Sequence, residues 1–398
     1  MVGMLGSPTR RSLRLVAAVV ALGAVAALTA CSGAGSDGNG GTASPKPSAS
    51  SRPSPSPTPD PIADLTLQQR VGLLFLVGTP ATGADPATLD AVTNRAVRGV
   101  FLAGRSRAGT AATAQLVAQF TGIAPATGDN GIPLVVATDQ EGGQVQVLRG
   151  PGFSEIPSAV DQGTTDPGAL EASARTWGAE LKSAGVTMNL APVADLVGSP
   201  EQAGANPPIG GYDREYGYDP DTIVAHAGAV ATGMRASGVE PVIKHFPGLG
   251  RVTANTDTAT DVVDTAVTAD SPDVDVFRRL LPTTGAVMMS NAVYQNIDPS
   301  GPAVFSSAIV TDLLRKQLGF RGLIVTDDLS ATAQLKAWAP ADRAILAVRA
   351  GCDQLLVSAD PSVAAEMIDA VVAHAQGDPA FAKQVDAAAR RIATARKS

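Results

Sequence analysis

The chain has 398 residues, a formal charge of −7, 44% hydrophobic residues and two cysteines, Cys31 and Cys352. Acidic residues outnumber basic ones, and the basic ones are scattered rather than striped, which argues against nucleic acid as a partner. With Cys31 engaged elsewhere, as argued next, Cys352 would have no mate, and a disulfide framework within the chain is excluded.

Residues 1–30 begin with Arg10, Arg11 and Arg14, continue through an apolar stretch from Leu15 to Leu28 and end in small residues. That is the layout of a secretory signal peptide, whose apolar run is too short and wrongly flanked for a spanning helix. "LTAC" at 28–31 has the form of a bacterial lipobox, which would make Cys31 the lipidated first residue of the mature chain. Ordinary cleavage near Ala30, with Cys31 incidental, is the alternative. Residues 31–60 are Gly/Ser-rich and then Pro/Ser-rich, with nothing apolar enough to bury a core, so they read as a disordered tether. The expectation is an extracytoplasmic domain, 61–398, held to the cell membrane by a lipid anchor alone. The leader leaves open whether export is general or twin-arginine.

From about residue 70, short β-branched or apolar runs alternate with Ala/Leu-rich segments of helical spacing. The runs fall at 73–78, 98–104, 133–139, 186–195, 240–246, 286–291, 322–328 and 352–358. "ALEASARTWGAELKSAG" and "TIVAHAGAVATGMRASG" typify the intervening helices, and both end in glycine, as expected of a C-cap. Continuous apolar strands alternating with helices imply parallel strands covered on the outside. Eight such units predict an α/β fold of the (β/α)8 type in a single catalytic domain. A doubly wound open sheet is the other candidate, but "GTPATG" at 78–83 matches its nucleotide turn poorly.

In a barrel the chemistry gathers at the carboxyl ends of the strands. Those positions hold Asp139 and Glu141 (strand three), Asp195 (strand four), Lys244 and His245 (strand five), Ser290 and Asn291 (strand six), and Asp327 and Asp328 (strand seven). The loop after strand four adds Asp213 and Arg214. Of three histidines, His226 and His374 fall in helical segments, leaving His245 too isolated for a zinc set, so no metal is expected. No P-loop or G-x-S-x-G elbow is present, and no cofactor is expected. Carboxylates accept paired hydrogen bonds from vicinal hydroxyls while Lys and Arg donate to the remaining oxygens, so the set suits a sugar. Two carboxyl groups suffice to cleave a glycoside. For Asp139 a strand-to-loop cap is the plainer reading. The plainer readings of Lys244 with His245, of Arg214 and of Asp327 are an internal ion network, a salt bridge to Asp213 or Glu215, and a helix N-cap.

The motifs "TDQEGGQVQVLR", "APVAD", "YDREYGYDP", "KHFPGLG", "YQNIDPSGPAVFS" and "GFRGLIVTDDLS" resemble, in order, those of family 3 glycoside hydrolases. The resemblance is nearest to the single-domain bacterial β-N-acetylglucosaminidases that trim or recycle peptidoglycan. It covers nearly all of 61–398 and implies a retaining exo-β-N-acetylglucosaminidase acting on cell-wall fragments. A β-linked amino-sugar oligosaccharide or muropeptide would be the substrate, and β-glucoside acceptance stays open. Carried over by position, the nucleophile is Asp327, with Asp328 and Asn291 as supports, and the sugar-binding residues are Asp139, Arg214, Lys244 and His245.

One motif departs from the pattern. Where the family carries a D-S-H triplet with an acid/base histidine, an ungapped count from Lys244 gives Asn255, Thr256 and Asp257, and "KHFPGHG" has become "KHFPGLG" with Leu249. Three readings stay open: Asp257 as acid/base with Asn255 donating a hydrogen bond to it, a loop that is only a lid on a slow enzyme, or a surface lectin that binds without cleaving. In the first, a carboxylate at that place would repel phosphate, so water is the expected acceptor. A Schiff-base role for Lys244, as in aldolase barrels, is a further alternative that the neighbouring His-Phe-Pro-Gly and Asp-Asp make poor. Cys352 reads as a buried, unreactive strand residue.

Overall fold

The structure, a computed structural model, describes residues 60–123 and 131–397. The expected signal peptide, the lipidated Cys31 and the tether lie outside the described residues, apart from Asp60.

Several helices start at an Asp-Pro or Ser-Pro step, because proline fits the first helical position and a short polar side chain before it can cap the free N–H groups. Asp85 caps Pro86–Asn94 (α1), Asp166 caps Pro167–Ser183 (α3) and Asp219 caps Pro220–Ala236 (α4), each accepting from a backbone N–H of the first turn. The remaining barrel helices are Gly109–Ile123 (α2), Pro272–Leu280 (α5), Ala308–Gln317 (α6, wound with π-type turns), Pro340–Ala350 (α7) and Ala364–Gly377 (α8). Gly185, Gly238, Gly319 and Gly351, just beyond α3, α4, α6 and α7, all have positive φ, as the sequence reading expected of its closing glycines.

Between the helices run eight parallel strands: Phe75–Pro80 (β1), Gly99–Ala103 (β2), Val135–Thr138 (β3), Met188–Asn189 (β4), Glu240–Phe246 (β5), Ala286–Met289 (β6), Leu323–Val325 (β7) and Leu355–Val357 (β8). Their order in the sheet is β7-β6-β5-β4-β3-β2-β1-β8, so each neighbour in sequence is a neighbour in space and β1 pairs with β8. Val325 bridges Gln354 in parallel, which brings the two outer strands together and closes the sheet into a barrel. An open doubly wound sheet is thereby excluded. At the β1–β8 contact a side chain on Gly78 would lie 2.2 Å from the Ser358 carbonyl oxygen, so only glycine permits that approach.

The strand expected over 186–195 is regular only at Met188–Asn189. Beyond it the chain still follows β5: Val242 N–H donates to Ala191 O, Lys244 N–H to Pro192 O, and Ala194 N–H to Lys244 O. Pro192 has no N–H to give, so the ladder continues unevenly. A hairpin of Gln140–Gly142 with Val145–Gln146 follows β3 directly and was not anticipated. It turns Glu141 back over the barrel mouth. A short helix, Leu67–Leu73, precedes β1, and a C-terminal helix, Pro379–Lys397, packs against it.

Candidate active site

A cavity of about 540 Å³ opens at the carboxyl ends of the strands. Asp139, Arg214, Lys244, His245, Asp257 and Asp327 all line it, with Asn255 and Asp328 alongside. The structure thus gathers at one place residues drawn from β5, from just beyond the ends of β3 and β7, and from two loops. Asn291 is not part of the lining. It sits fully buried behind it and donates from Nδ2 to the Asp328 carbonyl oxygen, 3.1 Å.

The floor on one side is an ion network. Lys244, 3% exposed, places Nζ 2.7 Å from both Asp139 Oδ1 and Glu141 Oε1. Arg214 donates to the same Glu141 through Nε (2.8 Å) and Nη2 (2.7 Å), a paired geometry that fixes both planes. Its Nη1 donates to the Pro208 carbonyl oxygen, 2.8 Å, so the long loop after β4 is held at the rim. Arg214 therefore pairs with neither Asp213 nor Glu215. Burial pushes the Glu141 carboxyl up, but Arg214 and Lys244 outweigh it and hold the group at about 2. Lys244, whose burial alone would lower its pKa, is raised by Asp139 and Glu141 and stays charged. An ammonium so engaged is a poor amine nucleophile, which removes the Schiff-base alternative. Glu141 stood among the strand-end residues in sequence but received no role. The hairpin that aims it is what gives it one.

His245 is anchored from behind. Its Nδ1 lies 2.7 Å from Asp195 Oδ2, and Asp195 Oδ1 accepts from the backbone N–H groups of His245 (3.1 Å) and Leu249 (2.7 Å). This leaves Nε2 as the ring nitrogen free to face the cavity. Asp195 is a second strand-end acid with no assigned role in sequence, and it is the group that orients the histidine. The peptide bond between Lys244 and His245 is cis.

On the opposite side, Asp327 and Asp328 separate by function. Asp328 is consumed in the wall: its carboxylate accepts from Ser330 Oγ, Ser358 Oγ and the N–H groups of Ala331 and Ser358. Asp327 keeps its carboxyl toward the cavity and takes one hydrogen bond, from the Asp328 N–H, 2.8 Å. Burial raises its pKa, while His245 and Lys244 work the other way.

The segment 249–261 passes over this cavity rather than away from it. Gly250 lets it lie against the loop after β4, since a side chain there would sit 2.2 Å from the Leu196 carbonyl oxygen. Asp257 remains open to solvent, yet lost hydration, then the charges of Asp327 and Asp328, raise its pKa to about 6. His245 and Arg214 oppose the rise without cancelling it. Asn255 does not donate to the Asp257 carboxyl, contrary to expectation. Its Oδ1 accepts the Asp257 N–H at 2.9 Å, and its carbonyl oxygen accepts from Thr258 and Ala259. Asn at the head of a polar loop closes such turns readily, so its side chain is occupied locally. Cys352 is buried, 1% exposed, and burial pushes its thiol far up, as expected of an inert thiol, but it sits in the connection between α7 and β8 and not in a strand.

A closed parallel barrel with two cavity-facing carboxyls and sugar-compatible donors between them defines a glycoside-cleaving enzyme. The sequence model of the glycosyl hydrolase family 3 N terminal domain matches residues 66–395, and the chain belongs to that family. It is 34% identical over 305 residues to a β-hexosaminidase of Nitrosomonas eutropha, covering 74% of this chain and 82% of the relative. A β-hexosaminidase of Xanthomonas campestris is likewise 34% identical over 312 residues, covering 75% of this chain and 88% of that one. Among solved structures, a β-N-acetylhexosaminidase from Beutenbergia cavernae superposes with a TM-score of 0.83 at 61% identity, over 84% of this chain and 100% of that one. A family 3 β-N-acetylglucosaminidase from a Paenibacillus species aligns with a TM-score of 0.75 at 27% identity, over 84% of this chain and 63% of that one.

Proposed function

We propose that the enzyme is a retaining exo-β-N-acetylhexosaminidase that removes terminal β-linked N-acetylglucosamine. The observation that carries this reading is the pairing of Asp327 with Asp257 across one cavity. Their surroundings divide the labour. Asp327 faces His245 and Lys244, which favour its ionised form, whereas the strongest charges on Asp257 are two carboxylates, which favour its protonated form. Asp327 then attacks the anomeric carbon as the glycosidic C–O bond breaks, and the leaving oxygen takes the proton from Asp257. In the second half, Asp257, now a carboxylate, takes a proton from water. The resulting hydroxide attacks the same carbon and frees Asp327, so the configuration is retained. Asp139, Lys244, Arg214 and His245 hold the sugar's hydroxyl groups.

Asp257's place in the cavity and its raised pKa support the acid/base role over that of a passive lid or of a lectin loop. The likeness to β-hexosaminidases supports the amino-sugar substrate. Cell-wall muropeptides are its natural source in this reading, with water as acceptor, and the leader and Cys31 read from the sequence support a position outside the cytoplasm on a lipid anchor. A 2-fluoro sugar bearing an activated leaving group, followed by peptide mapping, should label Asp327. Azide should restore turnover of Asp257→Ala on an activated substrate. A label on any other residue, or binding of a chromogenic β-N-acetylglucosaminide with no release, overturns the reading.

A further inference from the structure

Asp257 rides on a surface loop, and something must keep it at proton-transfer distance from the bond that Asp327 attacks. The structure shows one side chain placed to do this. Gln334 lies in the short helical turn Ala333–Leu335, on the segment that follows Asp327, and is 7% exposed. Its Oε1 accepts the Val262 N–H at 2.8 Å, and its Nε2 donates to the Val262 carbonyl oxygen at 3.2 Å. The amide thus pairs with Val262 as a strand residue would, and Val262 O also accepts from Val293 N–H, 3.0 Å. Two backbone bonds complete the strap: Gln334 N–H to Thr256 O, 3.0 Å, and Ala333 N–H to Asp257 O, 3.2 Å.

The other end of the strap is equally fixed. Thr332 Oγ1 donates to the Asp328 carbonyl oxygen at 2.8 Å, and the Asp328 carboxylate accepts from Ser330 and Ala331. Residues 327–334 therefore form one stiff piece that carries the nucleophile at its start and grips the acid-bearing loop at its end. Gln334 is absent from the cavity lining, so any effect on catalysis passes through the loop.

We propose that Gln334 is the positioning residue that locks the Asp257 loop to the Asp327 segment, so that the acid/base is held in place before substrate arrives. The inference rests on Asp257 being the acid/base. A merely structural glutamine would lower all rates together when replaced. A positioning glutamine lowers them in proportion to how much the leaving group needs a proton, because activated aryl groups depart without one. It also sets the acidity of Asp257. The groups facing that carboxyl are Asp327, Asp328, His245 and Arg214, and a loop that drifts outward regains water and loses the two carboxylates that hold its pKa up.

The test is kcat/KM of the full-length protein on a series of aryl β-N-acetylglucosaminides, from dinitrophenyl to phenyl, with pH profiles. Gln334→Met keeps the volume and removes both side-chain bonds. Gln334→Glu keeps the acceptor and loses the donor. Gln334→Met should lose about tenfold or more on the phenyl glycoside and about twofold or less on the dinitrophenyl one. Its high-pH limb should move to lower pH, and Gln334→Glu should fall between it and the parent. Equal losses across the series, or an unmoved limb, overturn the proposal. If Gln334→Met does not fold, Gln334→Glu decides by the same criteria. Asp257→Ala, run in parallel, separates the two levels: flat losses there sink the acid/base reading itself. Steep losses for Asp257→Ala with flat ones for the Gln334 variants sink only the positioning role.

Discussion

The proton on Asp257 is a property of its neighbours. An isolated aspartate would be ionised in neutral water, but reduced hydration and then two carboxylates raise this one to about 6. General acid catalysis needs that proton, so kcat/KM should fall as pH rises through about 6. In the proposed mechanism the opposite limb belongs to Asp327, which must be ionised to attack and whose pKa burial raises, so activity should also fall on acidification. The expected profile is a bell whose high-pH limb lies near 6. A broad plateau through neutrality would show that another group supplies the proton. At this scale the sequence was legible wherever a charged residue closed a strand: Asp139, Lys244, His245 and Asp327 line the cavity as their positions implied. It was less legible where a role depends on a partner distant in the chain. Glu141 and Asp195 were visible as strand-end acids, but only the fold reveals that they hold Arg214 with Lys244, and His245. Asn255 was assigned to the wrong atom. An Asn ahead of a Thr-rich loop signals a local turn, and that turn occupies its side chain.

Among the elements, β7 and β8 close the barrel through the bridge between Val325 and Gln354, with Gln354 N–H donating to Ile324 O (3.1 Å) and Thr326 N–H to Gln354 O (2.9 Å). The seam is reinforced by Asp353, fully buried, whose carboxylate accepts the Ile324 N–H at 2.8 Å and pairs with Arg315 and Arg391. Arg315 also donates to the Gly322 carbonyl oxygen, tying α6 and the C-terminal helix to the start of β7. Replacing Asp353 by Ala leaves those cations unpaired and should cost about 3–5 kcal/mol in denaturant unfolding. An unchanged midpoint would show that solvent takes over the pairing. The alternation of elements read from the sequence was sufficient for the barrel because each parallel strand, covered on the outside, must be apolar throughout. The hairpin after β3 was missed because "QEGGQVQ" offers no apolar face. It is held instead by the Gln140 side chain, which accepts from and donates to the Leu148 backbone. Gln334 escaped notice for a related reason: a neutral amide outside any motif gives no chemical cue.

For the whole molecule, the net charge of −7 lies outside the ion network on the cavity floor, which is internally balanced. Asp139 and Glu141 are matched by Lys244 and Arg214 in a chain of contacts, Lys244 touching both carboxylates and Arg214 touching Glu141. Such a quartet presents polarity without a net field, so a neutral sugar meets donors and acceptors but no excess of either sign. Buried pairs are also screened far less by dissolved ions than surface charges are. The Michaelis constant for an uncharged amino-sugar glycoside should therefore change by less than about twofold between dilute buffer and half-molar sodium chloride. A steep dependence would mean that the quartet opens to admit substrate. If it stays closed, the enzyme's grip on sugar is indifferent to the brine around it, a tolerance built from four side chains that neutralise one another.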